Sequence, residues 1–315
     1  MRSRAPSPLW LTTLLCLAAA APGLAQERRL AYQLPGMERV RRIENLTYSR
    51  LAETPDTVMY GRELRYDVFL PADGDSIRPG VIFIHGGLVA GSTERVSPKD
   101  DLPSYVQWGR LVAASGLVGI TFSHRLTTSE NVDTAATDVL NLMREVRRRS
   151  AEWHLDPDRI CVAAFSAGGP LTSLFMTDSA DVDYGVRCIA LYYPFLDMEH
   201  AAVISPFRRP HVEPRLSQLR AYSPAGRLRS GSRRIPPVLV ARAGQDAIPG
   251  INASIDRFML SALLANRPVD FYNHPGGSHG FDLATGEDAR AEYILRATLQ
   301  FFQEHLGVGE DRSPA

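Results

Sequence analysis

Short apolar runs recur along the chain, with helical patterns between them. Because each run is bounded by loop-forming residues and is too short for a helix, it is typical of a strand buried on both faces of a parallel sheet. The runs occupy residues 81–84, 117–122, 160–164, 188–194 and 237–243, and residues 269–274 are predicted to form a later strand. An earlier segment, residues 62–70, alternates apolar and polar positions, which predicts a strand with one exposed face.

Three helices are predicted between and after these strands. They cover residues 105–114, a segment with one apolar face from Val132 to Met143, and a final segment that includes Ile294 and Phe301. The alternation predicts an α/β fold, a doubly wound and mostly parallel sheet with helices on both faces. Residues 26–44 are rich in arginine and lack periodicity, so we expect a mobile leader or an edge segment there.

One predicted strand leads directly into a serine. The sequence Phe165-Ser166-Ala167-Gly168-Gly169 follows the apolar run 160–164. A serine at the end of a buried strand, followed by small residues, fits a strained turn from strand to helix that lifts the hydroxyl above the sheet.

Other polar residues follow other predicted strands. His85, Gly86 and Gly87 come after the run 81–84, Asp246 after the run 237–243, and His279 after the strand 269–274 and a glycine-containing loop. Open parallel sheets gather their chemistry beyond the carboxyl ends of their strands. We therefore expect these residues to lie near Ser166.

In these motifs the chain resembles the α/β-hydrolase superfamily, whose triad runs Ser, acid, His along the sequence. Within it the chain is similar to the carboxylesterase, acetyl-xylan-esterase and dienelactone-hydrolase-like groups, over roughly residues 45–306. Two positions depart from the usual patterns. Ala164 stands where the elbow motif has glycine, and Leu88 replaces the third glycine of the oxyanion motif of one branch.

The resemblance implies a role for each residue. Ser166 is the expected nucleophile, His279 its base and Asp246 the acid that orients the imidazole. The oxyanion hole is expected from the N–H of Ala167 and from the stretch Gly86-Gly87. No metal ion and no organic cofactor is expected.

Several residues compete for these roles. Asp197 and Asp256 are the alternatives to Asp246, which is preferred because it lies in the loop after the penultimate strand. His274 is the alternative to His279, but it precedes Pro275 and belongs to the predicted strand.

Two further histidines have structural interpretations. His85 is expected to shape its turn. His124 is expected either to form the floor of the pocket or to have a purely structural role.

Composition limits the organisation. The chain has 315 residues, 44% of them hydrophobic, and no net charge. That predicts one α/β-hydrolase domain over residues 26–315, with no room for a β-propeller and no basic surface for nucleic acid. Residues 199–234 interrupt the pattern with four prolines, eight arginines and two glutamates. They form either a partial cap, which would favour anionic esters, or a solvated insertion.

The first residues predict export. Arg2 and Arg4 precede an apolar stretch, residues 9–21, and Gly23-Leu24-Ala25 fits a cleavage site. The apolar stretch is shorter than the ~20 residues of a membrane span, so a signal peptide over residues 1–25 is preferred to an anchor. A secreted or periplasmic protein is expected.

Removal of residues 1–25 leaves Cys161 and Cys188, both in apolar runs. We expect buried free thiols, and a disulfide between adjacent strands is the alternative.

The activity expected is that of a serine esterase acting on esters of small alcohols or of decorated carbohydrates. A peptidase of the prolyl-oligopeptidase type and a non-catalytic binding protein of the same fold are the alternatives. A peptidase of that type normally needs a gating domain, and a binding protein has little physical reason to retain all three side chains of the triad.

Overall fold

A computed structural model describes residues 29–52, 61–73, 76–87, 97–125, 131–178, 184–200, 216–284 and 286–308. Within these ranges the chain forms ten strands, numbered in chain order: β1 Arg29–Leu30, β2 Arg41–Arg50, β3 Glu63–Leu70, β4 Arg78–Ile84, β5 Val118–Phe122, β6 Leu155–Phe165, β7 Val186–Tyr192, β8 Val238–Ala243, β9 Val269–His274 and β10 Leu283–Ala284.

Eight of these strands form one sheet, in the order β2-β3-β5-β4-β6-β7-β8-β9. The strands from β5 to β9 in this order pair in parallel, whereas β2 and β3 pair antiparallel at one edge. The two short strands β1 and β10 pair separately. The prediction of a mostly parallel sheet is therefore confirmed.

Helices cover both faces of this sheet. They are α1 Pro98–Asp101, α2 Pro103–Ala114, α3 Val132–Arg149, α4 Leu216–Ala221, α5 Pro224–Arg229, α6 Ile251–Leu264 and α7 Ala289–His305, with 3₁₀ helices at Met37–Arg39, Ser150–Trp153 and Ser166–Phe175.

Strand alternation explains the two layers. In β4, Ile82 and Ile84 point into a core shared with α3, α5 and α6, whereas Val81 and Phe83 point into a second core shared with α2 and α7. Since both faces of the central strands are covered, these strands read in the sequence as continuous apolar runs. The doubly wound architecture is confirmed.

Several of our sequence predictions fall outside the described ranges. Residues 1–25, the predicted signal peptide, lie there, and so do residues 201–215 of the predicted insertion. Of that insertion the structure describes residues 199–200 and 216–234, which include α4 and α5. Among the described helices, none is both long enough and apolar enough to cross a membrane.

The cysteine prediction needs correction. Cys161 in β6 and Cys188 in β7 form a disulfide, not two free thiols. The two residues are direct register partners on neighbouring parallel strands, with their Cα atoms 4.7 Å apart. That spacing lies within the range a disulfide can bridge.

Candidate active site

Ser166 occupies a sharp turn at the carboxyl end of β6. Its φ is +51°, in the left-handed region that a residue with a side chain rarely adopts. The 3₁₀ helix Ser166–Phe175 starts at once from this turn. Such strain persists only where the surroundings enforce it, and it is concentrated at functional sites.

The two glycines after the turn are required by close packing. A Cβ on Gly168 would lie 2.5 Å from the carbonyl oxygen of His85, and one on Gly169 would lie 2.6 Å from that of Phe195. Both distances are too short for real atoms. The turn is therefore compressed between the loops that follow β4 and β7.

Gly86 lies directly against the serine. A Cβ on Gly86 would be 3.2 Å from Ser166 Cβ and 3.7 Å from its Oγ. The N–H of Gly86 donates to the hydroxyl of Tyr105 at 2.8 Å, so this donor is already used. Of the predicted stretch Gly86-Gly87, Gly87 is then the remaining candidate donor. Ala167 lies at the start of the 3₁₀ helix, where N–H groups have no partner within the helix.

His279 and Asp246 are joined directly. His279 Nδ1 and Asp246 Oδ2 are 2.7 Å apart, and Asp246 Oδ1 also accepts the N–H of Ile248 at 2.9 Å. The Asp246 side chain is buried, whereas that of His279 is 30% exposed. With Nδ1 donating to the carboxylate, Nε2 of His279 is the nitrogen left to act as a base.

Backbone hydrogen bonds hold the loops of these two residues together. Gly244 N–H donates to the carbonyl of His274 at 2.8 Å, and Gln245 N–H donates to that of Gly277 at 2.9 Å. The pairing of β8 with β9 thus continues past the ends of the strands and brings the acid to the histidine.

The ring of Tyr193 lies between the serine and histidine loops. Its centroid is 4.5 Å from that of His279 and 6.2 Å from that of Phe165, the residue before the serine. Among the described residues, no hydrogen bond links His279 to the Ser166 hydroxyl. Such contacts are often long without substrate and tighten in the reacting complex.

The competing carboxylates have other partners. Asp197 accepts from Arg229 at 3.1 Å and from Arg257 at 3.3 Å. Burial opposes the ionisation of Asp197, but the bonds and charge of Arg229 outweigh it, so the pKa of Asp197 is lowered. Asp256 lies on α6 and pairs with Arg242.

The competing histidine is also occupied. His274 is the last residue of β9, and its Nε2 lies 2.9 Å from Asp288. His274 therefore belongs to the strand and points at a carboxylate other than the predicted acid.

His85 and His124 form a buried stacked pair beneath the glycine loop. Their ring centroids are 3.6 Å apart, with 6° between the planes. The N–H of His124 donates to His85 Nε2 at 3.0 Å. Burial lowers the pKa of His85 to about 4, and burial and the neighbouring His85 lower that of His124 well below its usual value. Both rings are thus neutral and fix the loop after β4 to the end of β5.

Three aromatic or acidic residues were missed by sequence reasoning. Tyr105, Tyr193 and Asp282 lie inside apolar or loop segments and belong to no motif. Asp282 lies only three residues after His279 in the sequence, which could have drawn attention to it. Nothing in the sequence indicates that Tyr193 approaches the histidine.

Comparisons with known proteins place this arrangement in context. A sequence family described as BD-FAE matches residues 66–205. The probable carboxylic ester hydrolase LipM of Mycobacterium tuberculosis is 24% identical over 81% of this chain and 62% of its own length. An acetylxylan esterase of Xylanibacter ruminicola is 26% identical over 47% of this chain and 31% of its own length. The chain thus spans less than two thirds of the length of these two relatives.

Solved structures agree over nearly the whole described fold. An esterase of Thermogutta terrifontis, Est2, has a TM-score of 0.63 at 20% identity, covering 91% of this chain and 99% of its own. The structure of Est2 with bound butyrate has a TM-score of 0.61 at 19% identity, covering 89% of this chain and 98% of its own. The chain has the α/β-hydrolase fold.

This result confirms the fold that the resemblance implied. In this fold, the predicted residues follow β4, β6, β8 and β9 at one edge of the sheet. Within the described ranges, no three His, Cys, Asp or Glu side chains are grouped closely enough to hold a metal ion.

Proposed function

We propose that this α/β-hydrolase cleaves carboxylic esters through an acyl-enzyme intermediate on Ser166. The observation that carries the proposal is the Asp246–His279 hydrogen bond, formed at the same sheet edge as a serine in a left-handed turn. The names of the relatives, a carboxylic ester hydrolase and an acetylxylan esterase, support the same reaction class.

Each residue has a defined step in this proposal. His279 Nε2 accepts the proton of Ser166 Oγ as the oxygen attacks the ester carbonyl carbon. Asp246 holds the imidazole with Nδ1–H toward itself and stabilises the imidazolium. The N–H groups of Ala167 and Gly87 bind the carbonyl oxygen as it becomes negative. The imidazolium then protonates the leaving alcohol. A water molecule, activated by His279 in the same way, then attacks the acyl-enzyme, releases the acid and restores Ser166.

We propose short acyl esters, including esters of decorated carbohydrates, as substrates. Est2, which shares the fold, has been solved with butyrate and with propionate bound, and one sequence relative is named for acetylxylan. The described part of the insertion gives less support to anionic substrates. Two of its arginines, Arg220 and Arg229, are paired with carboxylates.

We also propose that the protein is exported to an oxidising compartment, without a stable membrane anchor. The apolar stretch at residues 9–21 supports export, and the buried disulfide supports the compartment, because such bonds persist mainly outside the reducing cytosol.

The test compares ester turnover and fluorophosphonate labelling of the purified protein with those of variants. Ser166→Ala should abolish labelling and reduce kcat by at least ~10³-fold, and Asp246→Asn should reduce it by about 10⁴-fold. Ser173→Ala is the matched control, because this buried hydroxyl lies in the same 3₁₀ helix and, among the described residues, bonds only to the carbonyl of Pro170. Full activity or full labelling in Ser166→Ala would refute the proposal.

A further inference from the structure

Asp282 is a fully buried carboxylate three residues after His279. Its Oδ1 accepts the hydroxyl of Tyr193 at 2.7 Å, and its Oδ2 accepts Nε1–H of Trp108 at 2.9 Å. An indole N–H can only donate, so it requires an acceptor oxygen. When the tyrosine hydroxyl also donates, both oxygens of Asp282 accept, as an ionised carboxylate requires.

The carboxylate of Asp282 lacks an ion pair with a basic side chain among the described residues. Burial raises the pKa of Asp282, and the hydrogen bonds from Tyr193 and Trp108 oppose that rise. A buried charge without a counter-ion is costly, which calls for a functional reason to keep it.

The titratable groups around Asp282 can be named element by element. Tyr105 faces it from α2, Tyr192 and Tyr193 from the end of β7, and His279 from its own loop. Burial keeps all three tyrosines neutral by raising their pKa values. The imidazolium of His279 is therefore the one positive charge that can form in this set.

The same network fixes the geometry of the histidine. Tyr193, held through its hydroxyl, packs its ring 4.5 Å from the ring of His279. The backbone of Tyr193 has a φ of +37°, so the position of the ring is enforced by its surroundings.

We propose that Asp282 is a positioning residue of the active site, a second buried carboxylate that fixes His279 through Tyr193 and stabilises its imidazolium. The inference rests on the proposed function of His279 as the base. Asp246 orients the ring by direct contact, whereas Asp282 acts through Tyr193 and through its charge.

The test removes the charge and keeps the shape. In Asp282→Asn we expect kcat to fall about tenfold with KM unchanged, because the imidazolium forms only as the reaction proceeds. The acidic limb of kcat/KM should move to lower pH by about half a unit or more, since a nearby anion favours the protonated ring and its loss favours the neutral ring. A purely structural role would change kcat or stability without moving that limb.

A second readout does not depend on turnover. The NMR titration midpoint of the His279 ring, assigned by its absence in His279→Ala, should fall by the same amount in Asp282→Asn. An unchanged midpoint overturns the inference even if activity is lost. Absence of ester turnover in the wild-type protein would instead refute the proposed function, while the midpoint would still decide the coupling.

Two further variants complete the design. Asp288→Asn removes a carboxylate that bonds to His274 and caps α7, so it should lower stability without moving the limb or the midpoint. Tyr193→Phe leaves the charge and the ring but removes the hydroxyl. It should lower kcat with a smaller change of midpoint, and it provides the test if Asp282→Asn does not fold. Wild-type kcat in Tyr193→Phe would contradict the positioning role.

Discussion

At the scale of single residues, the hydrogen bonds of His85 and His124 determine their protonation. The carbonyl of Gly86 can only accept, so His85 Nδ1 carries the proton, and Nε2 is free to accept the N–H of His124. His124 Nε2 lies 3.2 Å from the carbonyl oxygen of His85, which likewise can only accept, so this nitrogen also carries a proton. The remaining nitrogen, Nδ1 of His124, is buried without a partner among the described residues. A further proton on the pair must therefore either displace the hydrogen bond accepted by His85 Nε2 or sit on the buried, unpartnered Nδ1 of His124.

This pair should make the protein sensitive to acid. Its folded-state pKa values lie below the usual 6.5, so the stability it contributes is present above pH 6.5 and is lost as the pH falls toward the folded values, about 4 for His85. One pKa unit corresponds to about 1.4 kcal/mol, so His85 alone should lower the free energy of unfolding by roughly 2 kcal/mol between pH 7 and pH 5.

Urea unfolding of His85→Asn at the two pH values checks this expectation. The amide keeps a donor toward the carbonyl of Gly86 but does not titrate. The variant should be less stable than the wild type at pH 7 and should lose about 2 kcal/mol less on acidification. Equal pH dependence of the two proteins would show that the pair does not set the acid limit.

At the scale of elements, the central strands and the edge strand β9 could be predicted, whereas β2 at the other edge could not. Strands β4 to β8 contain apolar runs because they are covered on both faces, and these runs are visible in the sequence. The edge strand β9 is partly exposed, yet its range was also predicted. The edge segment Arg41–Arg50 is half exposed, and its burial depends on the strand opposite. The short strands β1 and β10 form by pairing with each other although they lie near opposite ends of the sequence, so no local pattern predicts them.

The site divides in the same way. Ser166, Asp246 and His279 follow predicted strands, and parallel topology places such positions at one edge. Tyr193 and Asp282 acquire their roles from packing between β7, α2 and the histidine loop, which no local pattern encodes.

The pairing of β1 with β10 suggests a test at this scale. Leu30 is buried, its N–H donates to the side chain of Gln107 at 2.7 Å, and the N–H of Ala31 donates to the carbonyl of Asp282 at 2.8 Å. The segment before Tyr32 therefore braces the histidine loop.

Removal of the chain through Tyr32 should lower the stability and the activity together. Exposing the Leu30 site costs about 2 kcal/mol, which corresponds to roughly 3 °C in Tm for a domain of this size. Loss of the brace should lower kcat several-fold, measured beside a truncation through residue 28 that keeps β1. Unchanged kcat with a lowered Tm would restrict this segment to a stabilising role.

At the scale of the whole molecule, the sheet brings distant parts of the sequence to one edge. The groups that follow consecutive parallel strands there are His85 after β4, His124 after β5, Ser166 after β6, Tyr193 after β7, Asp246 after β8 and His279 after β9. The central strands β6 and β7, which end directly before the serine and the tyrosine, are also the pair joined by the disulfide. The crosslink therefore lies in the part of the sheet on which the site is built.

The disulfide should contribute to the stability of the whole fold. It closes a loop with a sequence separation of 27 residues, for which the loss of unfolded-chain entropy predicts about 3.5 kcal/mol. We expect Cys161→Ala with Cys188→Ala to lower the free energy of unfolding in guanidinium by about that amount, and reduction of the unfolded wild type to impair refolding. Mass spectrometry gives the direct check, because neither cysteine should be alkylated in unfolded, unreduced protein. Alkylation of both would mean that the strands pair with free thiols, and the double variant would then lose only the packing of two small side chains.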